Sequence, residues 1–234
     1  MSPREPVFYF SLRSPYSWLA YRDLTERYPD VADRVRWEPF WEPAPSWRRE
    51  LAAAGIRFHY VEMSRAKALY VLQDVRRLAH ERGLAVRWPV DRAPRWEVAH
   101  FAFLRARRHG RGRPFVAAAQ RARWEQGRDI SDPATIGAVA AELGLDPAEH
   151  AGAVDDPELR DEALRALQAL DQDGVFGVPF FVAGREHFWG LDRMAAFAAL
   201  VRAGSAAAPA EELAAEPAPV LVHGGDIGHA GGCG

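Results

Sequence analysis

The sequence predicts an α/β protein in which a four-stranded sheet is interrupted by a long helical insertion. Three observations lead there: a strand-helix-strand opening over residues 7–40, a helical pattern from about residue 46 to 173, and a strand-strand-helix close ending at residue 202. Neither half of the sheet can bury its faces alone, so the two halves must meet. Val7-Phe8-Tyr9-Phe10 is an apolar run of strand length and reads as a first buried strand. Ser14 suits a helix N-cap, Pro15 fits the first helical position with its fixed φ, and Leu19, Ala20 and Leu24 follow at roughly helical spacing, predicting a helix over residues 16–28. Val35 to Phe40 reads as a second strand ending in the turn Pro43-Ala44-Pro45, and the intervening helix makes the two strands parallel. The insertion divides into helices at Ser64–Arg82 before Gly83, Arg95–Arg108 before Gly110, Pro114–Trp124, Asp132–Leu143 before Gly144, and Pro157–Asp171. Strand signals return at Phe180-Phe181-Val182 and at His187-Phe188-Trp189, and Asp192 to Arg202 closes as a helix.

This order of elements is a thioredoxin-like fold with an inserted all-helical domain. Residues 7–45 and 173–202 form the thioredoxin-like domain, 46–172 the helical insertion, and 203–234 a flexible tail that ends in Cys-Gly. The tail is rich in Ala, Pro, Glu and Gly, a composition that buries too little apolar surface to offset the entropy of ordering. A net charge of −2 gives no electrostatic reason to expect nucleic acid or an anionic membrane. The first residues lack an apolar signal core, and no uninterrupted apolar run approaches the ~20 residues that span a bilayer, so a cytoplasmic protein is expected. Its one cysteine, Cys233, excludes an intramolecular disulfide and a Cys-rich zinc site.

The chemistry gathers at two motifs. Ser14-Pro15-Tyr16-Ser17 stands where a thioredoxin-like disulfide enzyme carries Cys-Pro-x-Cys, which keeps the architecture of a thiol site and removes its dithiol. A helix opened this way points free N–H groups and partial positive charge at whatever lies before Ser14, favouring an anion such as a thiolate. Gly174-Val175-Phe176-Gly177-Val178-Pro179 places a proline at the entrance to a strand, a position suited to a cis peptide that presents the Val178 backbone to an extended ligand. On the helix beginning at Ser64, Lys67, Tyr70, Asp74 and Arg77 fall within roughly 80° of arc, a polar stripe that is either solvated or lines a cleft.

With Phe188-Trp189-Gly190-Leu191-Asp192-Arg193, these motifs resemble the 2-hydroxychromene-2-carboxylate isomerase group of DsbA-like proteins, related to kappa-class glutathione transferases. The resemblance covers roughly residues 7–202 and includes the Lys67 to Arg77 stripe and the Trp124 to Asp132 run. It implies that Ser14 holds a glutathione thiol as thiolate, that the backbone of Val178 before Pro179 pairs with the cysteinyl unit, and that Asp192 and Arg193 lie at the γ-glutamyl end, with Phe176, Gly177 and Trp189 also in the thiol-binding set. It also makes Tyr16, Ser17, Lys67, Tyr70, Asp74, Arg77 and Asp91 substrate-binding residues, with Lys67 and Arg77 receiving a carboxylate or carbonyl. The chain departs from the family where Ser11 replaces an aspartate, where Arg13 directly precedes Ser14, and where Asp91 stands for an asparagine. Trp37, Trp41, Trp47, Trp88 and Trp96 suggest a large flat or elongated apolar ligand.

Glutathione ends in Cys-Gly, and so does this sequence. One reading of the tail is that Cys233 enters the groove facing Ser14 and Val178 and replaces a soluble thiol. The roughly 30 residues after Arg202 have a coil reach of about 30 Å, and tethering gives millimolar effective concentration. Two other readings stand beside it: a disordered tail, and a set of ligands, His223, Asp226, His229 and Cys233, for a metal in a non-catalytic partner protein. The expected activity is a cis/trans isomerase of a conjugated carbonyl or polyene, free or carrier-bound, working by reversible thiolate addition. Its cofactor is glutathione or another low-molecular-weight thiol, or none if Cys233 serves, and no metal is assigned. A glutathione-transferase or peroxidase-like enzyme is the alternative; related folds often pair as homodimers, but the sequence does not itself set the oligomeric state.

Overall fold

The computed structural model describes residues 4–58, 63–92 and 94–204. β1 (Val7–Phe10) is buried along its whole length because sheet neighbours flank it on both sides. It leads through Ser11–Arg13 into α1 (Pro15–Glu26), then a short α2 (Pro29–Ala32) and β2 (Arg36–Pro39). β2 runs parallel to β1, with Val7 opposite Arg36 and Phe10 opposite Pro39. The insertion contributes α3 (Arg48–Ala53), α4 (Arg65–Glu81), α5 (Trp96–Arg108), α6 (Gly112–Gln120), α7 (Pro133–Glu142), α8 (Pro147–Ala151) and α9 (Pro157–Gln172). The hairpin β3 (Phe180–Ala183) and β4 (Glu186–Trp189) completes a mixed sheet of order β2-β1-β3-β4, and α10 (Met194–Ala203) follows a 3₁₀ turn over Leu191–Arg193. Among the described residues, no helix is long and apolar enough to cross a membrane.

The expected α/β architecture is therefore the one present, with local differences. α2, α3 and α8, of four, six and five residues, are too short to show a full amphipathic period. The helix expected over 114–124 starts two residues earlier and ends in a π-helical turn, Arg121–Glu125. That wider turn brings Arg123 and Trp124, neighbours in sequence, both into buried positions. Arg123 there meets Asp91, and Trp124 stacks on Trp18 at 6.3 Å.

Aromatic rings join the sheet to the insertion. Phe8 stacks on Phe181 across β1 and β3 at 5.0 Å, and Phe10 meets Phe103 of α5 edge-on at 5.1 Å. At the other end of β1, buried Asp173 accepts both guanidinium nitrogens of Arg4 and the Tyr9 hydroxyl, tying β1 to the end of α9. Burial and that carboxylate push the Tyr9 phenol well above its usual range.

Candidate functional site

Ser14 caps α1 as the sequence predicted: extended at φ −84°, ψ 123°, with Oγ accepting the Ser17 N–H at 3.2 Å. The loop before it is tied down at almost every polar group. Ser14 N–H donates to the Ser11 carbonyl, Ser11 N–H to Ser17 Oγ, and Arg13 N–H to Ser11 Oγ. Two insertion helices complete the clamp: Gln120 Nε2 of α6 donates to the Ser11 carbonyl at 3.4 Å, and Leu12 N–H donates to His100 Nε2 of α5 at 3.1 Å. Because the Leu12 amide is only a donor, His100 Nε2 is the acceptor, and Nδ1–H donates to the Trp96 carbonyl at 2.6 Å. Burial, then opposed by that bond to Trp96 and helped by Arg13 and Arg123, pushes the His100 pKa down to about 4. The imidazole is thus a neutral strut under the loop.

This bonding also revises the expectation of several free N–H groups at the start of α1. Pro15 has none and that of Ser17 is engaged by Ser14. The helix dipole and the Ser14 O–H can still meet a ligand: the hydroxyl oxygen has accepted one bond and its proton can be donated.

Val178 and Pro179 are joined by a cis peptide bond, and Val178 lines the same small depression as Ser14. The two motifs, remote in sequence, share one wall. Arg13, Trp41 and Glu42 line it as well. Arg13 pairs with Glu42 and its guanidinium lies 5.2 Å from the Trp96 ring centre. On the far side of the Pro179 turn, half-exposed Phe176 meets Trp189 edge-on at 4.8 Å. A Cβ on Gly177 would stand 3.1 Å from Trp189 Nε1, so a side chain here would press the indole aside by a few tenths of an ångström.

Two indole donors here are buried without an acceptor, Trp41 Nε1–H and Trp189 Nε1–H. Each such orphan costs about 1–3 kcal/mol, and a ligand oxygen or sulfur would relieve it. A glutathione-like thiol fits these residues: an open donor at Ser14, the cis turn at Val178, and a glycine that keeps Trp189 close.

The remaining predicted residues divide. Tyr16, Tyr70, Asp74 and Asp192 line one cleft of about 290 Å³ with Arg82 and Leu191. Asp74 is its centre, accepting from Tyr16 at 2.6 Å, Tyr70 at 3.3 Å and Arg77 at 3.1 Å. Arg77 is therefore committed to a neighbour on its own helix, and Arg193 pairs with Asp192 at 3.1 Å. Lys67 sits exposed at the start of α4 and lines neither the cleft nor the depression. Ser17 turns inward and is spent on the Ser11 amide. Asp91 gives both carboxylate oxygens to Arg123, at 2.9 and 2.7 Å. Cys233 and the His223, Asp226 and His229 set lie outside the described residues. Among the described residues, no group of His, Cys, Asp or Glu is arranged to hold a metal.

Sequence reasoning missed Glu42 and His100, named Trp41 only among the tryptophans of an apolar ligand surface, and noted Arg13 without giving it a role. The signal for Trp41 and Glu42 was their place just past β2, since ligands gather beyond the carboxyl ends of parallel strands. A larger groove of about 650 Å³ opens beside the start of β2, away from Ser14. Its arginines are committed, Arg36 and Arg107 to Glu38 and Arg113 to Asp33.

Comparison with known proteins agrees with this geometry. The chain is 29% identical over 191 residues to a 2-hydroxychromene-2-carboxylate isomerase of Sphingobium xenophagum, covering 80% of this chain and 92% of the relative. It is 23% identical over 216 residues to glutathione S-transferase kappa 1 of Homo sapiens, covering 85% and 91%. A solved structure of 2-hydroxychromene-2-carboxylate isomerase superposes with a TM-score of 0.64 at 22% identity, covering 86% of this chain and 98% of that one. The resemblance read from the motifs thus holds over the full length expected for it. Residues 7–202 match the model of the DSBA-like thioredoxin domain, and the chain belongs to that family.

Proposed function

We propose that the protein is a thiol-dependent isomerase that interconverts the geometries of a double bond conjugated to a carbonyl. The observation that carries this is the shared depression of Ser14 and Val178, with serine in place of both active sulfurs of a dithiol enzyme. A disulfide exchanger needs two thiols at that position. Similarity to an isomerase over most of both chains supports the same reading.

A bound thiolate supplies reversible addition: a C–S bond forms at the β carbon, the alkene pair moves to the carbonyl oxygen, the former double bond rotates, and expulsion of the sulfur restores the alkene. No electron or atom is gained or lost overall. Ser14 Oγ–H and the start of α1 hold the negative sulfur, and the Val178 backbone seats the peptide that carries it. The aromatic cleft around Tyr16 receives the remainder of a small or carrier-bound substrate. The thiol is glutathione or, supplied in the chain, Cys233.

The 23% likeness to a kappa-class transferase favours a second use of the same site, conjugation, in which the thiol is consumed. The discriminating assay follows 2-hydroxychromene-2-carboxylate and free thiol together in full-length protein, with and without added glutathione. Turnover with constant thiol supports the isomerase; stoichiometric thiol loss overturns it. Turnover in thiol-free buffer that disappears in Cys233→Ser assigns the thiol to the chain, whereas turnover unchanged by that substitution removes Cys233 from the mechanism.

A further inference from the structure

The groove beside the start of β2 takes no part in the site around Ser14, and its volume, about 650 Å³, is that of a binding cavity. Its floor is aromatic, with Tyr21, Trp37 and Phe103, and among the described residues its charged lining is Arg36, Arg107 and Arg113 with no carboxylate. The Arg107 and Arg113 guanidiniums each stand 5.5 Å from a ring centre, over Phe103 and Trp37 respectively. Their ion pairs leave donors to spare. Arg113 meets Asp33, whose side chain is 70% exposed, through one nitrogen, and Arg36 and Arg107 share Glu38. β2 is the outer strand of the sheet, yet it offers little to a further strand: Pro39 has no N–H, and the Trp37 carbonyl already accepts from Arg107 at 3.4 Å. An occupant therefore binds through its side chains.

The chain carries a matching segment close by. The end of α10 adjoins the groove: Arg34 donates to the Val201 carbonyl at 2.7 Å, Arg202 holds both oxygens of Asp30, and Asp33 of the same stretch meets Arg113. Residues 205–234, outside the described residues, contain four carboxylates and no lysine or arginine, so the rest of a chain of net charge −2 is positive. Their only run of three large apolar residues is Val220-Leu221-Val222, preceded by Glu211, Glu212 and Glu216. We propose that Val220-Leu221-Val222 docks in this groove, with its side chains on the aromatic floor and the preceding glutamates on the arginine rim. Sixteen residues separate Gly204 from Val220, a coil reach of about 20–24 Å from an exit that already adjoins the groove, and a tether of this length gives millimolar effective concentration. The docking stands apart from the isomerase reading. If Cys233 is the thiol of that reading, anchoring at Val222 shortens its tether from 29 residues to 11, which raises its effective concentration about fourfold by the −3/2 power of length.

Amide hydrogen exchange of the full-length protein, read by NMR at Val220 and Val222, tests the docking without recourse to activity. A millimolar tether against a site of about 0.1 mM slows exchange about tenfold below unstructured-chain rates. Leu221→Asp abolishes that protection, as does Ala117→Glu, which sets a carboxylate in the groove from α6. Arg113→Glu, at the exposed rim, lowers it several-fold. The amides of buried β1 exchange alike in all these proteins and report on the fold in the same sample; a variant in which they do not is set aside, and Arg113→Glu, farthest from the core, then decides. Unstructured-chain rates in the wild type overturn the proposal. Protection that survives both Ala117→Glu and Arg113→Glu overturns the groove as its place, and protection that grows with protein concentration overturns docking within one chain in favour of a second copy.

Discussion

Replacing Ser14 with alanine removes a helix cap and a donor to the bound sulfur, and the two losses appear in different assays. The cap is the 3.2 Å bond from Ser17 N–H to Ser14 Oγ. Its loss costs about 1 kcal/mol, which lowers Tm by about 2–4 °C for a chain of this size. The sulfur loses a hydrogen bond to a charged group, about 1.5–3 kcal/mol, so the pKa of bound glutathione rises by about one to two units. The assay is the thiolate absorbance of the bound thiol as a function of pH, with a melting curve on the same sample. Ser14→Thr keeps the cap and the hydroxyl and restores both values. Ser14→Asp keeps the cap but sets a carboxylate against the sulfur, so melting is preserved and the thiolate is lost. If Ser14→Ala melts lower while its thiolate titrates as in the wild type, or if Ser14→Asp retains the thiolate, the serine is only a cap.

Two further outcomes follow from the geometry. His100 is neutral in the fold, with its pKa pushed down to about 4 from 6.5 in the open chain. The unfolded state therefore binds the extra proton first, and stability falls as pH drops from 6.5 toward 4. Urea unfolding shows a loss of about 2 kcal/mol between pH 7 and pH 5 that shrinks in His100→Gln, and an equal loss in both proteins would refute the assignment. Gly177→Ala sets a Cβ 3.1 Å from Trp189 Nε1, which pushes that ring by a few tenths of an ångström. Glutathione affinity drops about tenfold with a small change in Tm, and unchanged affinity would remove Trp189 from the thiol site.

The parts legible in the sequence are those whose signals are local. β1 is four consecutive apolar residues, the start of α1 is a serine followed by proline, and the Pro179 turn is a motif in itself. The polar stripe of α4 was visible as helical spacing, but spacing does not say which way a stripe faces. Asp74 and Tyr70 turn into the cleft while Lys67, about one turn away, stays in solvent. His100 was unreadable for a different reason. It lies in an apolar stretch of α5, between Ala99 and Phe101, and its partner, the Leu12 amide, belongs to another part of the chain. A backbone donor leaves no trace in residue identity.

Those two bonds from the insertion, His100 to Leu12 and Gln120 to Ser11, give the helical domain a role beyond that of a cleft wall. In a dithiol enzyme the position of the reactive sulfur is set by its own covalent chain. Once serine replaces cysteine, the sulfur arrives on a ligand, and its position depends on how rigidly the residues before Ser14 are held. A loop with dangling amides would let Ser14 and Val178 move apart by more than a hydrogen bond tolerates. Here nearly every polar group from Ser11 to Ser14 has a partner, and two of those partners come from α5 and α6. Loosening that clamp should therefore weaken thiolate formation without touching any group that meets the thiol. His100→Gln, which can still accept through its amide oxygen, should retain the thiolate band better than His100→Leu, which leaves the Leu12 amide buried and unpaired. Equal bands in the two variants would show that the loop keeps its shape by itself.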